Sequence, residues 1–195
     1  MTLDSTLFPV DHELDGLLAR LADEADRRQM IEVAYRTVDS PLGPLLLAAT
    51  ARGLVRVAFV TEDFDAVLTV LADRLGPRVL AAPARLDRAA SELDEYFCGT
   101  RHEFDLELDH SLSSGFRQTV QRYLPSIGHG RTETYKQVAE HVGNPAAVRA
   151  VGTACATNPI PVVVPCHRVL RTDGSLGGYR GGLEAKRWLL DLERR

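Results

Sequence analysis

Between residues 12 and 29, Leu14, Leu17, Leu18, Leu21 and Ala25 recur at helical spacing with charges between them, which predicts an amphipathic helix. The period then changes. Residues 32–38 alternate, Ser40-Pro41-Leu42-Gly43-Pro44 turns the chain, and apolar stretches at 45–49 and 54–60 follow, joined around Arg52-Gly53. Three strands joined by short turns predict an antiparallel meander. Phe64, Val67, Leu68 and Leu71 mark a helix ending near Gly76-Pro77, and Val79-Leu80 a short extra strand. Leu86, Ala89, Ala90, Leu93 and Phe97 mark a further helix closed by Gly99. Phe104, Leu106 and Leu108 alternate with charges, as a half-exposed strand does.

After a linker at 110–114 the pattern becomes helical. Phe116, Val120, Tyr123 and Leu124 form one face before Pro125. Thr134, followed three residues later by Gln137, has capping-box spacing for a helix that runs to Val142 and stops at Gly143. Asn144-Pro145 reads as N-cap and first turn of the next helix, which extends to Thr157. That helix is rich in small residues, Ala146, Ala147, Ala150, Gly152, Ala154 and Ala156, with Arg149 as its long cation. Helix, turn and helix make a helix-turn-helix candidate, although many helical hairpins bind no DNA. Small residues let a backbone approach a partner closely, or pack tightly on a neighbouring helix. Cys155, among alanines, reads as an inert core thiol. A last helix over 183–193 packs Leu183, Leu189, Leu190 and Leu192, and Trp188 with them. Its C-terminal Glu193 sits where a carboxylate is electrostatically disfavoured and where an imidazolium partner would suit it. The fold class is therefore α+β. Residues 1–30 form a helical extension, 31–110 an α/β scaffold with a small antiparallel sheet and no catalytic cluster, and 111–195 a helical part.

Composition changes this picture in one respect. The chain is 45% hydrophobic and 26% charged, ordinary for a soluble globular protein, and its net charge of −4 argues against a polyanion partner if taken whole. Split at residue 110, it does not: residues 1–110 carry 11 Lys/Arg and 21 Asp/Glu (net −10), residues 111–195 carry 12 and 6 (net +6). Only the second part is fitted to meet DNA, unless the asymmetry is merely that of solvated faces. The apolar runs are too short to cross a membrane, and the acidic N-terminus is no signal peptide. Three cysteines argue against a disulfide framework and for a reducing, cytoplasmic setting. Their spacing fits no metal site, and the glycine-rich stretch at 172–182 lacks phosphate-loop spacing, so neither metal nor cofactor is expected.

The candidate chemistry lies in Pro161-Val162-Val163-Val164-Pro165-Cys166-His167-Arg168. The valines read as a buried extended segment stopped by Pro165, which holds Cys166 at a strand end. A thiol needs a base or a positive environment to become a nucleophile, and His167 and Arg168 adjoin it. A buried cysteine beside a surface His-Arg pair is the alternative.

Asn158-Pro159 followed by Pro165-Cys166-His167-Arg168 closely resembles the active-site signature of the O6-alkylguanine-DNA alkyltransferases, or methylated-DNA–protein-cysteine methyltransferases. The resemblance runs through the Gly-Gly-Tyr and Gly-Gly-Leu stretches to Glu193, back through Arg149 and Tyr135, and more loosely to Tyr35. It implies a suicide enzyme of direct-reversal repair that moves the alkyl group of O6-alkylguanine, or of O4-alkylthymine, in double-stranded DNA onto Cys166. It implies His167 as base through a bridging water, Glu193 as its orienting carboxylate, Asn158 as brace of the cysteine turn, and Tyr135 near guanine N3. It further implies Arg149 as the finger that fills the gap of a flipped nucleotide. Ala147, Ala150 and Gly152 then meet the minor groove, and Val169, Tyr179, Arg180 and Gly181 line the base pocket. A monomer in solution is expected, with cooperative binding along DNA left open. The chain departs from the family pattern at Gln121, often tryptophan, at His129 and Arg131, and at Arg180, often serine or alanine. Two rival classes remain: a non-catalytic lesion-binding protein, in which the acceptor cysteine is replaced, and a cysteine hydrolase.

Overall fold

The computed structural model describes residues 10–194. Helix α1 (Val10–Arg27) leads into β1 (Val33–Val38), β2 (Leu45–Thr50) and β3 (Gly53–Phe59), which pair antiparallel in that order. After α2 (Phe64–Leu75), β4 (Val79–Ala81) returns to pair parallel with β1. The sheet order is β3-β2-β1-β4, so the sheet is mixed where an antiparallel one was expected. The reason is the α2 crossover, which brings the chain back in β1's own direction. Helix α3 (Asp87–Phe97) completes this part. The second part holds α4 (Gly115–Tyr123), β5 (Glu133–Thr134), α5 (Tyr135–His141), α6 (Val148–Ala156), β6 (Val169–Leu170) and α7 (Gly182–Leu192). Among the described residues no helix is long and apolar enough to cross a membrane.

Strand β2 reads Leu-Leu-Leu-Ala-Ala because both its faces are covered. Leu46 and Ala48 pack with Val55, Ala58 and α2's Val67 and Leu71. Leu45, Leu47 and Ala49 face the other way, into a core shared with Leu124, Val138, Val151, Ile160, Cys166 and Leu189 of the second part. The cysteine is therefore anchored in a core that both parts build.

Leu183 of α7 is exposed where packing was expected, and four further expectations need correction. Leu17, Leu18 and Leu21 of α1 are exposed, while Ala22 and Ala25 pack against Ile31, Ala34 and Ala82; Leu14 lies outside the described side chains. Residues 104–108 form no strand; Leu108 makes one isolated bridge to Leu54, and Phe104, Leu106 and Leu108 lean on the core individually. Helix α6 starts at Val148, not Pro145: the Asn144 carbonyl accepts from Ala147 N–H at 2.9 Å, closing a turn with Pro145 at its second position. Finally, residues 162–164 are not extended. Val164 N–H donates to the Ile160 carbonyl at 2.8 Å, and Val162 has φ 73°. The run is apolar because it is a turn buried on all sides, and periodicity cannot distinguish that from a core strand.

Candidate active site

The acceptor turn is built around Asn158. This fully buried amide accepts from Ile160 N–H at 3.0 Å through Oδ1, and its Nδ2 donates to the Val164 carbonyl at 2.8 Å and to Cys166 Sγ at 3.2 Å. One side chain thus closes the turn and fixes the thiol. A β-branched residue at positive φ costs about 1–3 kcal/mol, and Val162 keeps that geometry because the Asn158 bonds and the core over-determine it. Cys166, His167 and Arg168 then form a single 3-10 turn, so the cysteine does not end a strand.

Behind the turn lies a closed polar network. His167 Nε2 lies 2.8 Å from Glu193 Oε1, and the Arg168 guanidinium meets both carboxylate oxygens at 2.9 Å while its Nη1 donates to the Ile127 carbonyl. Gly130 N–H donates to Oε2 at 3.3 Å. Burial disfavours the Glu193 carboxylate, but the hydrogen bonds from His167 and Arg168 outweigh it and hold the group far below the usual carboxylate range. An ionised Glu193 makes Nε2 the protonated nitrogen of a neutral imidazole, because burial pushes the His167 pKa down against the pull of Glu193. The free lone pair is then on Nδ1, a buried atom without a protein partner. Burial likewise raises the Cys166 thiol, against Asn158 and the Lys186 charge, so it rests protonated. Arg168 was expected to supply the thiol's positive environment; its charge goes to Glu193 instead, and Lys186 takes that role.

Two residues of this network escaped the sequence reading. Tyr96, from α3 of the supposedly inert scaffold, donates its hydroxyl to Glu193 Oε1 at 2.6 Å and lies 3.5 Å from His167 Nε2. Lys186 is wholly buried, its ammonium on the Val169 carbonyl at 2.7 Å. Lys186 was findable: it falls on the same α7 face as Leu189 and Glu193. Tyr96 carried no local signal, since its partner is 97 residues away.

Tyr135 opens α5, where the expected capping box forms: Thr134 Oγ1 accepts from Gln137 N–H at 3.2 Å and Gln137 Oε1 from Thr134 N–H at 2.8 Å. Strand β5 pairs with β6, tying Tyr135 to the segment that leaves the cysteine turn. Burial pushes the Tyr135 hydroxyl up to about 12, leaving it a donor. That hydroxyl comes so close to Gly177 that a Cβ there would stand 2.1 Å away. Tyr179 lies edge-on to His167 at 6.3 Å, with its hydroxyl buried and unpartnered, and Val169 is buried beside the turn. Arg180 pairs with Glu62 at 2.9 Å. Gln121, in place of an aromatic, is buried and donates to the Ala154 carbonyl at 3.0 Å, joining α4 to α6; His129 stacks on His102 at 4.2 Å.

Helix α6 buries Val151, Ala154 and Cys155, where the thiol is pushed far up by burial and stays inert. Its other face is open. Arg149, Ala150, Thr153 and Ala156 are exposed, Ala147 and Gly152 half-buried, and a Cβ on Gly152 would meet nothing within 4 Å. Ala154 packs in the core, whereas Ala150, Gly152 and Ala156 do not serve packing on a neighbour. Among the described residues no three His, Cys, Asp or Glu side chains group in a way that could hold a metal ion.

Comparison with known proteins follows these lines. Residues 33–110 match the family model of the 6-O-methylguanine DNA methyltransferase ribonuclease-like domain, and residues 115–195 that of the same family's DNA binding domain. A methylated-DNA–protein-cysteine methyltransferase of Mycolicibacterium paratuberculosis is 44% identical over 84% of this chain and 93% of its own length. That of Mycobacterium leprae is 42% identical over 82% and 91%. The crystal structure of Mycobacterium tuberculosis O6-methylguanine methyltransferase superposes with a TM-score of 0.73 at 39% identity, covering 83% of this chain and 93% of that one. The Mycobacterium tuberculosis OGT solved in complex with DNA gives 0.72 at the same identity, over 83% and 92%. The chain belongs to the methylated-DNA–protein-cysteine methyltransferase family.

Proposed function

We propose that this protein repairs DNA by direct reversal, moving the alkyl group of an O6-alkylguanine in duplex DNA onto Cys166 in one irreversible turnover. The observation that carries the reading is the His167–Glu193 pair, which leaves one buried lone pair, Nδ1, on the residue next to a thiol held by Asn158. His167 takes the thiol proton through a bridging water, and the Glu193 carboxylate stabilises the imidazolium. The thiolate attacks the alkyl carbon, an S–C bond forms, and the C–O6 bond breaks with its electrons passing to the base. The guanine leaves with the proton that the thiol gave, helped by the Tyr135 hydroxyl near N3. The C–S bond of the thioether is not cleaved by water or by another thiol, so each molecule acts once.

The lesion must leave the stack to reach a buried thiol. The open face of α6, with Ala147, Ala150 and Gly152, enters the minor groove, and Arg149 fills the space of the flipped nucleotide. Val169, Tyr179, Arg180 and Gly181 wall the pocket. Residues 111–195 carry DNA binding and acceptor, 31–110 the scaffold, and 1–30 an extension. The protein works as a cytoplasmic monomer, with O4-alkylthymine as a second lesion.

The test is incubation with duplex DNA containing O6-methylguanine followed by intact mass. A single stable methyl addition supports the proposal. Binding without a mass change means a lesion-binding protein, and turnover of an ester or peptide a hydrolase.

A further inference from the structure

We infer that Phe59 and Glu62, both from the N-terminal part, are positioning residues that clamp the pocket loop at 179–181 and so set the size of alkyl group the site accepts. The inference rests on the proposed role of that loop as a pocket wall.

Two separate grips meet there. Phe59, the last residue of β3, touches Tyr179 edge-on at 5.7 Å. Its ring is seated on bare backbone at Gly181, where a Cβ would stand 2.7 Å from two ring carbons. Glu62 lies in the turn that follows. Its Oε1 accepts from Phe59 N–H at 3.0 Å, and its Oε2 takes both Arg56 Nη2 at 2.5 Å and Arg180 Nη1 at 2.9 Å. Arg56 reaches on to the Pro159 carbonyl at 3.2 Å, which Val57 N–H also meets at 2.9 Å. Strand β3 thus grips both segments that frame Cys166: the cysteine turn at Pro159 and the loop at 179–181.

Tyr179 is anchored by its packing on the core and His167, but among the described residues Arg180 has no side-chain bond besides that to Glu62. Gly177, Gly178, Gly181 and Gly182 flank Tyr179 and Arg180 without side chains to pack. Beside the ion pair lies a cavity of about 400 Å³ lined by Arg56, Glu62, Val67, Val70, Arg117 and Arg180. Arg180 therefore has room to swing away, and its bond to a largely buried carboxylate is what keeps it in place. Tyr179 carries any loop movement to His167, 6.3 Å from it. Releasing Arg180 widens the wall, which favours a bulky alkyl group and loosens the alignment of a methyl group.

The experiment is single-turnover transfer from duplex O6-methylguanine and duplex O6-benzylguanine at saturating protein, in the full chain. Arg180→Ala raises the benzyl-to-methyl rate ratio about fivefold, which corresponds to about 1 kcal/mol. Arg180→Lys, which keeps the charge, restores most of the wild-type ratio. Glu62→Gln shifts the ratio the same way, and adding it to Arg180→Ala produces no further shift in the ratio, because the Arg180 contact that holds the wall is then already gone, although Glu62→Gln also loosens Arg56. Gly181→Ala, which forces the Phe59 ring off the loop, raises the ratio independently of Glu62. Equal slowing on both substrates, an unchanged ratio or a lower ratio overturns the clamp. Absence of methyl transfer by the wild-type protein would instead overturn the proposed function, and the two failures are read separately.

Discussion

Tyr96→Phe removes one oxygen from the centre of the network and nothing else. The ring keeps its contacts with Phe97, Phe104 and His129, so no cavity opens. Glu193 Oε1 keeps His167 and Arg168 as donors, so no buried acceptor is orphaned. What is lost is one hydrogen bond to a charged group, and with the other donors in place the cost falls at the low end of the usual range, about 1.5 kcal/mol. For a chain of this size the melting temperature should fall by about 3–6 °C. The chemical consequence has a definite sign. With one donor fewer, the carboxylate pulls harder on Nε2–H and favours the imidazolium, so the His167 pKa rises. A protonated His167 cannot accept the thiol proton, so the acid limb of the single-turnover pH–rate profile moves to higher pH. The assay is methyl transfer from duplex O6-methylguanine across the neutral range, alongside thermal unfolding. A lower melting temperature with an unmoved acid limb would refute the coupling and leave Tyr96 as packing alone.

Other perturbations separate the parts of the site. Asn158→Ala strips the thiol of its donor and leaves Ile160 N–H unpaired, while the Val164 carbonyl keeps the Cys166 N–H; stability should drop by about 1–3 kcal/mol, and transfer should recover in part at raised pH, because the thiol pKa climbs further. Arg149→Ala should slow repair of duplex DNA about thirtyfold, if the finger offsets about 2 kcal/mol of the flipping cost, and leave free O6-benzylguanine unaffected; equal loss on both would deny the finger role. Glu193 is held below its unfolded pKa of about 4.3, so its contribution is full above that pH and fades as pH falls towards the folded value. Glu193→Gln strands the buried Arg168 guanidinium, and should cost about 3–5 kcal/mol at neutral pH and flatten the acid dependence of the denaturation midpoint.

How much of this was legible beforehand follows from the range of the forces involved. Alternation and helical spacing located β1 to β4 and α2 to α7 within a few residues, because those signals are local. Thr134 and Gln137 announced their capping box for the same reason. The valine run before Cys166 was misread because a turn buried on every side and a core strand have the same composition; Val162's backbone angle and the Val164 N–H bond to the Ile160 carbonyl separate them. The parallel pairing of β4 depends on where α2 delivers the chain, which no short window contains. Cys166 and His167 stood out from their adjacency, Glu193 from its place at the end of the last helix and Asn158 from a resemblance, and the four do meet in one cluster. Tyr96, Glu62 and Phe59 were not, because each acts across the boundary between the two parts, where partners lie about a hundred residues apart in sequence.

The central claim is that Cys166 is the acceptor, and three thiols make it directly testable: Cys98 is exposed, Cys155 and Cys166 are buried. Exposure alone would favour Cys98, so geometry and accessibility give opposite answers. Tandem mass spectrometry of the protein digested after one turnover on O6-methylguanine duplex should place a single methyl group on Cys166, and Cys166→Ser should take up none while still binding the DNA. A methyl group on Cys98 or Cys155, or transfer persisting in Cys166→Ser, would contradict the account.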